Sequence, residues 1–115
     1  IGLINGYTYG PSFLDAVHNH NMQISYSQDS IRNFQMLMAG RVDLILEAES
    51  VAKTILSSHP EWKKIIKHAT KPAAQYSWHI GLYKSSPLAS RMDDINRALD
   101  LMRANGTLSA IVNGR

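Results

Sequence analysis

Cysteine is absent from all 115 residues. Its absence excludes disulfides and thiolate metal sites, and it is equally at home in a bacterial periplasm or a cytosol. Long apolar runs are missing too: Val42 to Leu46 and Ala110 to Val112 fall far short of the ~20 residues that span a bilayer. Charge of one sign is scarce. Twelve Lys and Arg against nine Asp and Glu leave a formal +3, and the basic residues are scattered from Arg32 to Arg115, not gathered on one face as nucleic-acid binders hold them. No nucleic-acid partner is expected. Neither GxGxxG nor GxxxxGK[ST] occurs, so dinucleotide and nucleotide binding have no support and no cofactor is expected. The chain opens on Ile1 without a basic-then-apolar leader, so an export signal is expected to have been removed or to lie outside these residues.

What is present reads as one globular α/β domain, since a chain of this length holds one core and not two. Ile1 to Ile4 is a short apolar strand closed by the turn Asn5-Gly6. Pro11 suits the first turn of a helix whose Phe13, Leu14, Val17 and His18 share a side, with Asn21 as its end. Met22, Ile24 and Tyr26 alternate with polar residues as a second strand. Asp29 or Ser30 can cap the next helix, whose core stripe is Ile31, Phe34, Leu37 and Met38, and Gly40 can end it. Val42 to Leu46 is a nearly continuous apolar strand, as strands covered on both faces are. Val51, Ala52, Ile55 and Leu56 line a third helix. Strand and helix alternating three times predicts parallel strands in a doubly wound, mostly parallel sheet flanked by helices, with Ile1 to Ile4 in the middle.

Beyond Pro60 the pattern is looser. Ile65-Ile66 fits a short strand or a helical turn. Tyr76, Trp78, Ile80 and Leu82 alternate with Ser77, His79, Gly81 and Tyr83 as a half-buried strand. Pro87 opens a long helix stopped by Gly106, and Thr107 can cap a last helix carrying Leu108, Ile111 and Val112.

Little here has the spacing of catalysis. His18 and His20 diverge on a helix, and His59, His68 and His79 stand alone, without HExxH or a comparable metal pattern. Glu47 and Glu49 would share a side if the strand ran on, which leaves open acid/base work, contact with a cationic group, or simply the acidic residues a helix N-terminus favours. The loop Gly6-Tyr7-Thr8-Tyr9-Gly10 lies at the carboxyl end of a parallel strand and opens a helix. Such a loop presents free N–H groups to an anion in the crevice, with the Thr8 hydroxyl and the flat rings of Tyr7 and Tyr9 beside it. An ordinary turn with its rings in the core fits equally well.

Three segments carry a resemblance. Ile1-Gly2-Leu3 with Gly6-Tyr7-Thr8-Tyr9, then Ala39-Gly40-Arg41-Val42-Asp43-Leu44, and finally Ile80 to Leu88 with Asn96-Arg97-Ala98-Leu99 through Asn105-Gly106-Thr107, resemble in order and spacing the second lobe and C-terminal helices of family 3 bacterial extracellular solute-binding proteins. The resemblance implies a type II periplasmic-binding fold, with two α/β lobes closing on a solute. Residues 1–84 would be the second lobe and its return crossover strand, and residues 85–115 the C-terminal helices of a first lobe whose earlier part is absent. It also implies a periplasmic or extracytoplasmic location, a small polar solute such as an amino acid, an ABC permease as partner, and no enzymatic activity. Thr8 falls on the threonine that holds a ligand carboxylate, flanked by Tyr7 and Tyr9. The usual acidic partner of the α-amino group falls on Ala48, so Glu47 and Glu49 are the candidates to replace it.

A sensor domain of a histidine-kinase receptor is the alternative on the same fold, and an enzyme on this scaffold stands behind both. The stripe Leu88, Met92, Ile95, Leu99, Met102, Leu108, Ile111 and Val112 is expected to find an apolar partner. Self-association with a second copy is expected ahead of folding back on the chain's own sheet.

Overall fold

A computed structural model describes residues 1–114. By its internal contacts the chain forms two compact parts, Ile1–Tyr76 and the residues from Ser77 onward.

The first part is α/β. Its elements are β1 (Gly2–Ile4), α1 (Pro11–Asn19), β2 (Ser25–Ser27), α2 (Ser30–Met38), α3 (Glu49–Ser58) and α4 (Pro60–Lys63). β1 and β2 pair in parallel with Leu3 opposite Tyr26 and Ile4 opposite Ser27. On its other side Gly2 forms a single parallel bridge to Ile45. There the Gly2 N–H donates to the Leu44 carbonyl at 2.8 Å and the Leu46 N–H to the Gly2 carbonyl at 3.3 Å. β1 therefore lies between the other two segments, as alternating strands and helices predict.

Local chemistry sets the boundaries. Pro11 sits in the first turn of α1, where its missing N–H is no loss. Asn21, at φ 50°, ends the helix: its N–H donates to the His18 carbonyl, and that of Met22 to the Val17 carbonyl. Gly40 at φ 66° closes α2 in the same way through Leu37 and Met36. These paired bonds satisfy helix carbonyls that would otherwise be orphaned. Of the two candidate caps on α2, Asp29 is the one used, its carboxylate accepting the Arg32 N–H at 2.7 Å.

The core comprises Leu3, Ile4, Val17, Phe34, Val42 and Ile55. Phe34 stacks on Trp62, with ring centroids 6.2 Å apart, and Trp62 stacks in turn on His59 at 4.0 Å. Asn33 is fully buried among them and donates to the Gly2 carbonyl at 3.2 Å, tying α2 to β1.

Several expectations need correction. The second strand is Ser25–Ser27 and not Met22 to Tyr26. Ser27 is its buried residue, because its hydroxyl bonds the Leu3 and Asp29 carbonyls, while Tyr26 remains 60% exposed. Val42 to Leu46 shrinks to the one bridge at Ile45, for a reason that lies in the site itself. Ile65-Ile66 is a helical turn, both N–H groups donating to the Trp62 carbonyl. His18 is exposed, as is Leu14, so Val17 is the fully buried residue of α1, with Phe13 half-buried beside it in the stripe. Residues 76–83 form no strand. Their alternation is real, but a strand needs a neighbour for its N–H and C=O groups, and among the described residues this segment has none; Trp78 is 93% exposed.

The second part is a helix pair, α5 (Met92–Ala104) and α6 (Thr107–Val112), entered through a 3-10 turn at Ala89–Arg91. The long helix therefore starts five residues after Pro87. α6 is led by Gly106 at φ 81°, with no side-chain cap from Thr107; the Thr107 N–H instead donates to the Asn105 side chain at 3.0 Å. Met92, Ile95, Leu99, Met102 and Leu108 are half-buried, while Leu88, Ile111 and Val112 are exposed, and no described residue of either helix is fully buried.

Candidate functional site

Strand polarity brings the predicted residues to one edge. β1 ends at Ile4 and β2 at Ser27, and Glu47 follows two residues after the bridge at Ile45, on the opposite flank of β1 from β2. The chain leaves β1 toward β2 on one side and returns to Ile45 on the other, so the strand order reverses between β1 and residues 44–46. Such a reversal opens a crevice at the carboxyl ends of the strands. The loop 5–10 rises from one flank of that crevice and residues 46–49 from the other.

Tyr9 stands in the opening. The Ile4 N–H, which would extend the ladder toward Leu46, donates instead to the Tyr9 hydroxyl at 2.7 Å. The phenol takes the next rung, and this is why the third strand ends at one bridge. The Tyr9 ring also packs against Phe13 at 6.0 Å and 46°. Burial raises the Tyr9 hydroxyl above its ordinary pKa; the Ile4 hydrogen bond works the other way, while the nearby charge of Glu47 and the phenols of Tyr7 and Tyr26 push it further up.

The carboxylates do not act as a pair. The backbone bends into α3 after Ala48, so Glu49 opens that helix and its carboxylate meets Lys53 one turn on at 2.6 Å. That hydrogen bond, with the Lys53 charge, holds the Glu49 carboxyl below its usual range. This is the favourable order for an ion pair on a helix surface. Among the described residues Glu47 forms no such ion pair. Its Oε1 accepts the Ala48 N–H at 2.9 Å, and its Oε2 is buried without a hydrogen-bond partner. An unsatisfied buried oxygen of this kind is costly unless something else meets it.

Tyr7, at 58% exposed, and Thr8, Ala48 and Glu49 all meet solvent. The two readings of the loop thus divide between its residues: Tyr9 is built into the sheet's edge, while Tyr7 and Thr8 are free to meet a ligand. Tyr26 is exposed as well, but it lines a hollow along α2 with Arg32 and Arg41.

A shallow hollow along the outer face of α2, lined by Tyr26, Gln28, Asp29, Arg32, Gln35 and Arg41, is a separate feature of the surface. Among the described residues no three His, Asp or Glu side chains gather as a metal site, and no helix is long and apolar enough to cross a membrane. The chain matches no protein-family model, no curated protein and no solved structure.

Proposed function

We propose that this chain is one lobe of a doubly wound, type II periplasmic-binding fold of the family 3 kind that its motifs resemble. Its role is to capture a small polar solute, such as an amino acid or a related compound, outside the cytoplasm for an ABC permease. The observation that carries this reading is the meeting of loop 5–10 and residues 46–49 at the carboxyl edge of parallel strands, on the two flanks of a reversal in strand order. That is where open α/β sheets bind ligands. The α1 N-terminus and Thr8 supply donors suited to a carboxylate, and Glu47 supplies an acceptor suited to an amine. Residues 85–115 would serve as the C-terminal helices of the other lobe, and their exposed apolar side chains would pack there or on a second copy.

One wall cannot enclose a solute, so this chain alone should bind weakly. A thermal-shift screen of amino acids and simple amines identifies the solute, and calorimetry then compares the parent chain with Thr8→Ala. Loss of one neutral hydrogen bond should weaken binding by about 1 kcal/mol, roughly fivefold. Unchanged affinity would remove Thr8 from the site.

A further inference from the structure

The outer edge of β2 is open. The Ser25 N–H donates to the Ile1 carbonyl at 2.8 Å and the Asn5 N–H to the Ser27 carbonyl at 2.9 Å, so Ser25 and Ser27 turn their backbone groups toward β1. Tyr26, between them, turns its N–H and C=O the other way, where no further strand follows among the described residues. A hollow flanks this edge on each face of the sheet. Gly2 faces α2, where an added Cβ would meet Asn33, and it pairs with Ser25. On that face runs the hollow that holds Arg32 and Arg41. Neither arginine forms an ion pair among the described residues, and Asp29, the one acid lining the hollow, already accepts the Arg32 N–H. The crossovers through α1 and α2 run to opposite sides of β1, so right-handed connections place α1 on the other face. There Leu14, Val17, Met22 and Ile24 line a second hollow with His18 and Asn21. Its apolar surface is open to solvent, Leu14 and Met22 being 44% and 46% exposed.

We propose that this edge receives an extended segment of another protein in which acidic and apolar residues alternate. The backbone of that segment continues the sheet on the N–H and C=O of Tyr26. Successive side chains of a strand point to opposite faces, so its acids meet Arg32 and Arg41 while its apolar residues fill the hollow at Leu14 and Met22. A lone anion would use the arginines and leave the open edge and the apolar hollow unused. The strand-like segment 76–83 of a second copy matches less well, because it has no acid for the two arginines. This edge lies on the opposite flank of β1 from residues 44–46 and needs no solute at the carboxyl ends of the strands.

Two capped hexapeptides, Val-Glu-Val-Glu-Val-Glu and Val-Val-Val-Glu-Glu-Glu, share composition and charge and differ in order. Titrated into the isotope-labelled chain and followed by NMR, the alternating peptide should shift the amides of residues 24–28 and of α2 with a dissociation constant on the order of 1 mM. The block peptide, which cannot place all its acids on one face, should bind about tenfold more weakly, as should Ser-Glu-Ser-Glu-Ser-Glu. The Tyr26 N–H should exchange with solvent several-fold more slowly in the bound chain, because a peptide carbonyl then accepts it. Arg32→Gln combined with Arg41→Gln, both exposed and outside the core, should weaken the alternating peptide about tenfold.

Equal binding of the alternating and block peptides would overturn the proposal, since bulk charge would then explain the attraction. So would an unchanged Tyr26 exchange rate in the bound chain, indifference to the double arginine replacement, or no shifts at about 10 mM alternating peptide. Protection of Tyr26 that grows with chain concentration in the absence of peptide would give the edge to a second copy and overturn it as well.

Discussion

Gly2→Ala is expected to unfold the first part of the chain at markedly lower temperature. A Cβ at Gly2 would collide with Asn33 Oδ1 and would come within 2.9 Å of Ile45 Cγ2 and 3.2 Å of Val42 Cγ2. None of the three can retreat cheaply. Asn33 is held on the Gly2 carbonyl, Val42 is buried, and Ile45 carries the only bridge between β1 and the third segment. Overpacking of this kind costs about 2–3 kcal/mol, which for the cooperative unit involved corresponds to a fall of roughly 10–20 °C in melting temperature.

Gly6→Ala separates sterics from backbone. Gly6 has φ +81° but nothing within 4 Å of an added Cβ, so its substitution should cost only the left-handed penalty of about 1 kcal/mol. Thermal melts followed by circular dichroism check both variants. Equal losses would mean that α2 does not seat on β1 as closely as Asn33 indicates.

Tyr9→Phe should cost about 1–2 kcal/mol at neutral pH, because it leaves the N–H of buried Ile4 without an acceptor. The difference should also depend on pH. The folded chain holds the Tyr9 proton more tightly than the unfolded chain, chiefly because the ring is partly buried and then because Glu47 is near. A raised pKa contributes stability that is complete below the unfolded value of about 10 and is lost as pH rises through the folded one. The parent's margin over Tyr9→Phe should therefore be full at about pH 8 and smaller at about pH 11, as read from urea titrations at each. A margin that stays constant would mean that the hydroxyl does not sit on the ladder.

Gly2, Asn33 and Tyr9 also mark what was legible in the sequence. Period and punctuation were sufficient where a local rule acts alone: Pro11 starting α1, Asp29 capping α2, Asn21 and Gly40 ending helices, and Ile55 with its neighbours turning inward. The central place of β1 followed from strand and helix alternating. Asn33 was illegible because an apolar stripe count passes over amides, whereas its burial depends on a carbonyl 31 residues away. The shortening of the third strand was hidden for a related reason: nothing within Val42 to Leu46 reveals that the hydroxyl of Tyr9 takes the next rung. Residues 76–83 carry a strand's alternation without its partner. The site divided likewise, with loop 5–10 and residues 47–49 visible from strand polarity. The engagement of Glu49 by Lys53 and the exposure of Tyr26 depend on where the backbone bends and which faces remain uncovered.

The central claim is that the carboxyl edge of this sheet is where the chain meets its ligand. Backbone amide shifts, mapped while the solute from the thermal-shift screen is titrated into the labelled chain, test it directly. Changes should concentrate in residues 5–10 and 46–49. Changes confined to the α2 hollow around Arg32 and Arg41, or to α5 and α6, would contradict it.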